Sequence, residues 1–249
     1  MAWARQQGIE ELHVLADDDA GVLARRAALF RDPPTIWWVN GAELHSIQPE
    51  PLSRPTTAPD AAGFGSLFEG VGLEVVSEWD HVAGELRGLE VARVVDGRLE
   101  VGVGEADREL TAMLHGDLAP ADALERVVTI VREHRRPGAP RHPLNLLVPE
   151  RWLRWTLPGV TPVAPARPRA GMRERDIACG ISVDGVVVCS VGVDLDLVPA
   201  AAEARLAIDA DAPLIITIPE RDDHPITRAL AARVGGFVEI RTVAGDWRT

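Results

Sequence analysis

The chain has 249 residues, 46% hydrophobic and 26% charged, with a formal net charge of −12. That is the composition of one large or two small globular domains with a core of ordinary size. It holds no lysine and no tyrosine, so all 26 basic residues are arginine. A phosphate-binding P-loop, a pyridoxal Schiff base and a Ser-Lys acyl enzyme each need a lysine, and all three are excluded unless another chain supplies the amine. So negative a field also disfavours the nucleic-acid backbone as main partner. The exception is Arg126 to Arg175, where eleven arginines face three acids, leaving −20 on the rest. No apolar run approaches the roughly 18 residues of a membrane span. The opening MAWARQQGIEELHVL has no signal-peptide pattern. A cytoplasmic protein without membrane contact is therefore expected.

In chain order, Ile9–Leu15 reads as a strand, ADDDAG as a turn and VLARRAALF as a short helix. Thr35–Val39 is a strand, and Asn40-Gly41 a hairpin turn into Glu43–Ile47. Prolines 49, 51, 55 and 59 mark an extended connector, and GFGSLFEGVG lacks the spacing of a dinucleotide loop. Leu73–Val76 suits a strand, His81–Arg87 a helical turn, and Leu89–Val95 with Leu99–Val103 a hairpin about Asp96-Gly97. A helix ends at Leu114. Pro120 opens a stronger one, with Leu124, Val127, Val128 and Val131 on one face. Pro149 starts PERWLRW, which places Trp152 and Trp155 together. After a second proline-rich connector come Ile177–Val183, Val186–Leu195, a helix, Leu214–Ile218, a helix at 225–234 and Val238–Val243. Cys179 and Cys189 flank the last hairpin and read as inert core thiols in a reducing compartment.

These elements predict an α/β fold, a mixed β-sheet with helices packed on its faces. The expected segments are an N-terminal β-α-β-hairpin (1–48), a connector (49–72), a hairpin-helix unit (73–157), a second connector (158–173) and a C-terminal α/β unit (174–249). Each hairpin carries VDG followed by VGV (95–103 and 183–193). A duplicated, hairpin-containing half and a chance match in a Val/Gly-rich chain both account for it.

The strings GLEVARVVDG, GVGEADREL, RHPLNLLVPERWLR, CSVGVDLDLVP and PERDDHP together resemble a family of uncharacterised proteins of GC-rich actinobacteria, over about Leu86 to Val243. The resemblance implies no activity and carries over no site residue. The C-terminal third, a hairpin followed by helix, strand, helix and strand, is similar to the core of restriction-endonuclease-like nucleases. That resemblance implies an acid on one strand and acid-x-lysine on the next, holding Mg²⁺. Here the second strand reads Cys189-Ser190-Val191, so the usual centre is missing.

Four acidic clusters follow strands: Asp17–Asp19, Glu105–Glu109, Asp194/Asp196 and Glu220–His224. On one parallel sheet they would share the strand-C-terminal edge, where ligands bind in open α/β folds. Capping explains each one singly, since acids suit a helix N-terminus. Asp194 and Asp196, at i and i+2 on a strand, would share a face and could hold Mg²⁺ with Asp223. A strand ending in DxD resembles the metal motifs of haloacid-dehalogenase-type phosphatases and nucleotide-sugar glycosyltransferases. Val198 stands where the first wants a hydroxyl, and only 53 residues follow Asp196, too few for the second.

The leading expectation is thus a non-catalytic protein binding a ligand or protein partner at the strand-C-terminal edge, with no cofactor. The alternative is a Mg²⁺-dependent phosphate or phosphodiester hydrolase using Asp194, Asp196, Asp222, Asp223 and His224. Arg132, Arg135, Arg136 and Arg141 are the polyanion-binding candidates, nucleic acid being the less favoured partner. A homo-oligomer stays open.

Overall fold

The computed structural model describes residues 8, 9, 11–53, 62–115, 117–139, 142–167, 177–245 and 247. Its strands fall into three sheets, and the α/β class expected from the sequence holds. The first sheet takes β1 (His13–Ala16), β2 (Thr35–Asn40) and β3 (Glu43–Ser46). β1 pairs parallel with β2 across α1 (Ala20–Ala28), and β3 returns antiparallel. The alanine-rich side of α1 lets it lie close on the sheet, so Ala16, Ala20, Ala24, Ala27 and Ile36 form a small core.

The second sheet is an antiparallel meander of β4 (Glu74–Ser77), β5 (Val82–Leu86), β6 (Leu89–Val95) and β7 (Arg98–Val101). Its tight turns, Arg87-Gly88 and Asp96-Gly97, have positive φ at both residues, the twist that suits a two-residue hairpin. At Gly88 only glycine fits: a Cβ would stand 2.4 Å from the Arg151 backbone. α2 (Ala62–Gly70) and α4 (Pro120–His134) cover the meander, burying Phe68, Leu124, Val128 and Val131 against Val82, Leu89, Val91 and Val94. α3 (Glu105–His115) rests against β7.

The third sheet runs β12-β11-β10-β9-β8. It comprises β8 (Thr161–Val163), β9 (Ala178–Ser182), β10 (Gly185–Cys189), β11 (Leu214–Pro219) and β12 (Val238–Val243). β10, β11 and β12 are parallel, whereas β9 is antiparallel to both neighbours. β11, LIITIP, is buried at every residue, as an apolar run in the middle of a two-faced sheet should be. α6 (Leu197–Ile208) and α7 (Pro225–Ala231) cover one face through Leu197, Ala201, Ala204 and Ala231. On the other face Leu153 of α5 (Pro149–Thr156) packs on Ala178, Val187, Cys189 and Ile215.

Ionic contacts join the sheets. Arg25 and Arg26 of α1 both bond Glu203 of α6, at 2.8 and 2.7 Å. α5 lies between the second and third sheets and reaches both.

Several sequence expectations are revised. Val82–Leu86 is a wholly buried strand, not a helical turn. The glycine-rich stretch taken into the first connector forms α2, and Thr161–Val163 in the second is an edge strand, where proline is tolerated. β10 stops at Cys189, so Ser190–Asp196 is a loop and Asp194 and Asp196 share no strand face. The two hairpins, β6–β7 and β9–β10, lie in sheets of different construction.

Candidate functional site

The strand-C-terminal edge of the third sheet brings together two of the four acidic clusters. Parallel pairing of Cys189 with Thr217 sets the loop after β10 beside the loop after β11. The Gly192 N–H then donates to Asp222 Oδ2 at 2.7 Å. Within this edge each candidate carboxylate has an internal partner. Asp194 Oδ1 accepts the Asp196 N–H at 2.8 Å. Asp196, next to the first residue of α6, gives its helix no side-chain cap and pairs with Arg26 instead (2.9 and 3.1 Å). Asp223 is held by Arg228 in a two-pronged pair, 2.8 Å on each prong. That hydrogen-bonded guanidinium keeps the Asp223 carboxyl below its ordinary range. His224 Nδ1 accepts the Ile226 N–H at 3.2 Å and caps α7.

The other two clusters belong elsewhere. Asp17–Asp19 follow β1 in the first sheet, and Glu105–Glu109 open α3 beyond the second. The single acidic rim therefore does not form, because the strands do not share one sheet. Among the described residues no group of three His, Cys, Asp or Glu side chains is placed to hold a metal ion.

Cys189 is fully buried, and burial pushes its thiol up. Cys179 is also buried and in no disulfide. It joins the cluster on the α6 side of the sheet whereas Cys189 joins the one on the α5 side.

Among the described residues, the arginine-rich middle is not one basic surface. Arg135 is fully buried, and its guanidinium donates to the carbonyls of Arg87 (3.1 Å), Leu144 (2.6 Å) and Leu147 (3.0 Å). It also lies over the ring of Trp152, 4.5 Å from the centroid. Arg135 is thus withdrawn from any polyanion. Arg132 is exposed but donates to the Val71 carbonyl at 2.7 Å, and Arg136 to that of Glu133 at 3.1 Å. Arg141 lies outside the described residues. Of the tryptophans on α5, Trp152 is buried and Trp155 half-exposed under Arg87, so the helix splits them between core and rim.

Unannounced in the sequence is a buried seam of charge where α5 meets β4–β6. Arg151 and Arg154 both bond Glu85, which is fully buried, and Arg151 reaches Glu78 at 2.9 Å. Arg154 also donates to the Cys179 carbonyl of the third sheet at 3.2 Å. Next along, His81 bridges Asp80 (2.8 Å) and Glu90 (3.2 Å), and Arg108 bonds Glu90. Burial resists a charge on His81, but its hydrogen bonds to Glu90 and Asp80 and the nearby carboxylates prevail and raise its pKa. Burial likewise resists a charge on Glu90. The His81 bond and the positive charges of His81, Arg108 and Arg151 prevail, and its pKa is lowered. Glu74, opposite Glu85 across the β4–β5 pair, is pushed up by burial and by the Glu85 charge, with Arg154 opposing.

The open surface lies on the helical side of the second sheet. Between α3, α4 and the 3-10 turn Pro143–Asn145 runs a groove of about 450 Å³, its walls formed by Val103, Leu110, Leu114, Val127, Ile130, Leu144 and Leu147. Asp107, Thr111 and His142 are the polar groups beside them. Asp107 accepts the Val103 N–H at 2.6 Å, and His142 Nδ1 accepts the Leu144 N–H at 3.3 Å. The groove arises because α3 turns Thr111 inward and leaves Leu110, Met113 and Leu114 at 50, 83 and 67% exposure. Leu146 and Leu147 of the adjoining loop are exposed as well. A second hollow of about 440 Å³ lies along the other flank of α3. There Arg93 pairs with Glu100 at 2.6 Å, and Arg108 is engaged by Glu90.

No family model matches the chain, and no curated protein and no solved structure matches it.

Proposed function

We propose that this chain is a non-catalytic partner-binding protein whose docking surface is the apolar groove and ridge of α3 and α4. One observation carries this: Leu110, Leu114, Ile130 and Leu147 stand exposed along a single groove, with exposed Met113 and Leu146 next to them in the chain. A contiguous apolar patch rimmed by polar residues costs solvation when open and marks an interaction surface. The strand-C-terminal edge offers less, since its carboxylates are engaged internally. The test is fluorescence titration with an anilinonaphthalene sulfonate dye. Wild type should bind it saturably, and Ile130→Glu should abolish binding with the circular dichroism spectrum unchanged. Dye binding that survives Ile130→Glu removes the support for this surface.

A second reading, the Mg²⁺-dependent phosphate or phosphodiester hydrolase on Asp194, Asp196 and the 220–224 loop, draws support from one contact. The Gly192–Asp222 bond holds the two acid-bearing loops side by side, where a cation would have to sit.

A further inference from the structure

We propose that the hollow on the other flank of α3 is a site for a small amino alcohol, taking its ammonium at the mouth, its apolar chain along the wall and its hydroxyl at the base. This goes beyond the docking-surface reading and does not depend on it. The hollow measures about 440 Å³, within the range of small-molecule sites. Leu99 and Val101 of β7 and Ala112 of α3 give it an apolar wall, completed by Leu118 and by Pro120 and Ala123 of α4. The mouth is acidic. Glu105 and Glu109 line it, both exposed, and neither has an ion-pair or hydrogen-bond partner among the described residues. Standing four residues apart, they share one side of α3 and repel each other. The helix N-terminus favours Glu105, but Glu109 lies beyond the first turn, where that effect has faded. The cations on the lining do not answer them: Arg93 pairs with Glu100 at 2.6 Å, and Arg108 with Glu90.

The base asks for a different kind of group. Thr111 lines the hollow at 8% exposure, and its hydroxyl has no hydrogen-bond partner among the described residues. Arg108 Nε is likewise buried without one. At 3.6 residues per turn, Thr111 lies nearly opposite Glu109 around α3, so the two mark the inner and outer ends of the hollow. Buried polar groups are normally hydrogen-bonded, and a bare donor left inside is an exception that a ligand can resolve. A neutral hydroxyl can both accept from Arg108 Nε and bond the Thr111 hydroxyl. A carboxylate in its place would face Glu90, which already neutralises Arg108, after passing Glu105 and Glu109 on its way in. Two uncompensated carboxylates at one end, unpartnered hydrogen-bonding groups at the other and an apolar wall between them define the three parts of the ligand.

Ligand-observed NMR titration of the full chain with 6-aminohexanol tests this, at fixed ionic strength and about pH 7, where an alkylamine is charged. A dissociation constant of about 1 mM or tighter is expected, an ordinary affinity for so small a ligand. Hexanol, which lacks the ammonium, and hexylamine, which lacks the hydroxyl, should each bind at least about threefold more weakly. Glu105→Gln with Glu109→Gln should erase the preference for aminohexanol over hexanol, and Thr111→Val should reduce the preference over hexylamine. Ala112→Phe, at an exposed position on the wall, should block all three. Ile130→Glu, in the groove on the opposite flank, should change nothing. No binding of aminohexanol at about 5 mM overturns the site. So does equally tight binding of hexanol, or binding that survives Ala112→Phe. A Thr111→Val variant that keeps the full preference over hexylamine overturns the assignment of the base, and the proposal with it.

Discussion

Replacing Arg154 tests the claim that the molecule is fastened by buried charge. Its side chain is 3% exposed and bonds Glu85, which is 0% exposed, while a second nitrogen donates to the Cys179 carbonyl at 3.2 Å. Arg154→Ala leaves Glu85 leaning on Arg151 alone and removes one donor from the Cys179 carbonyl. Breaking a buried pair by removing one partner costs about 3–5 kcal/mol, because a charge stays behind uncompensated. Since Arg151 still faces Glu85, the lower end applies, and a loss of about 3–4 kcal/mol is expected. For a chain of this size that is a fall in Tm of roughly 6–16 °C.

The sharper measurement is the double variant. Glu85→Leu with Arg154→Leu removes both charges and leaves Arg151 its 2.9 Å contact with Glu78. It should cost clearly less than Arg154→Ala, since an apolar pair needs no desolvation of charge. Urea denaturation followed by tryptophan fluorescence reports directly, because Trp152 and Trp155 ride on the same helix as Arg154. A loss under about 1 kcal/mol for Arg154→Ala would place the pair with ordinary surface salt bridges. Single costs that simply add in the double variant would show that the partners do not depend on each other.

Two further outcomes follow from the same geometry. His81 has a raised pKa, so its contribution is full below the unfolded value near 6.5 and fades as pH climbs through the folded value. Glu90 has a lowered pKa, so its contribution is lost only as pH falls below the ordinary 4.5. The stability gap between wild type and His81→Gln should therefore be widest at about pH 5.5–6.5 and shrink toward about pH 9; a gap constant across that range would contradict the bridge. At the third-sheet edge, about 5 mM Mg²⁺ or Mn²⁺ at fixed ionic strength should leave Tm unmoved, because the carboxylates there already have partners. A rise of several degrees, lost in Asp194→Asn, would restore the hydrolase reading through ligand linkage.

What could be read from the chain beforehand follows local chemistry. Asp96-Gly97, the proline starts of α4 and α5 and the apolar run of β11 announce themselves within a few residues. β5 does not. Gly84 and Glu85 break its strand pattern, and the reasons they are tolerated lie far away. Phe68 and Leu73 leave no room for a Cβ at Gly84, and the partners of Glu85 arrive more than sixty residues later on α5. Asp194 and Asp196 look like one strand face in the sequence and stand in a loop, because an unbroken valine run hides where pairing stops. Arg135 was in principle readable. Leu124, Val128, Val131 and residue 135 follow the 4-3-4 spacing of one helical stripe, which places the guanidinium just past the core side of α4.

The absence of lysine acquires a structural sense from these contacts. A guanidinium presents several N–H groups in a fixed plane and can bond two acceptors at once, whereas an ammonium is a compact, strongly hydrated point charge. Arg151 uses that fork to tie Glu78 to Glu85, and Arg135 to gather three carbonyls. Each of these fastenings would lose a bond or its geometry with lysine in place. It follows that, among the described arginines between Arg126 and Arg175, Arg135, Arg151 and Arg154 are consumed inside the protein, neutralising glutamates or gathering carbonyls. A guanidinium engaged in this way has nothing left to offer a polyanion, so the arginine count of the stretch overstates the positive charge it can present to one.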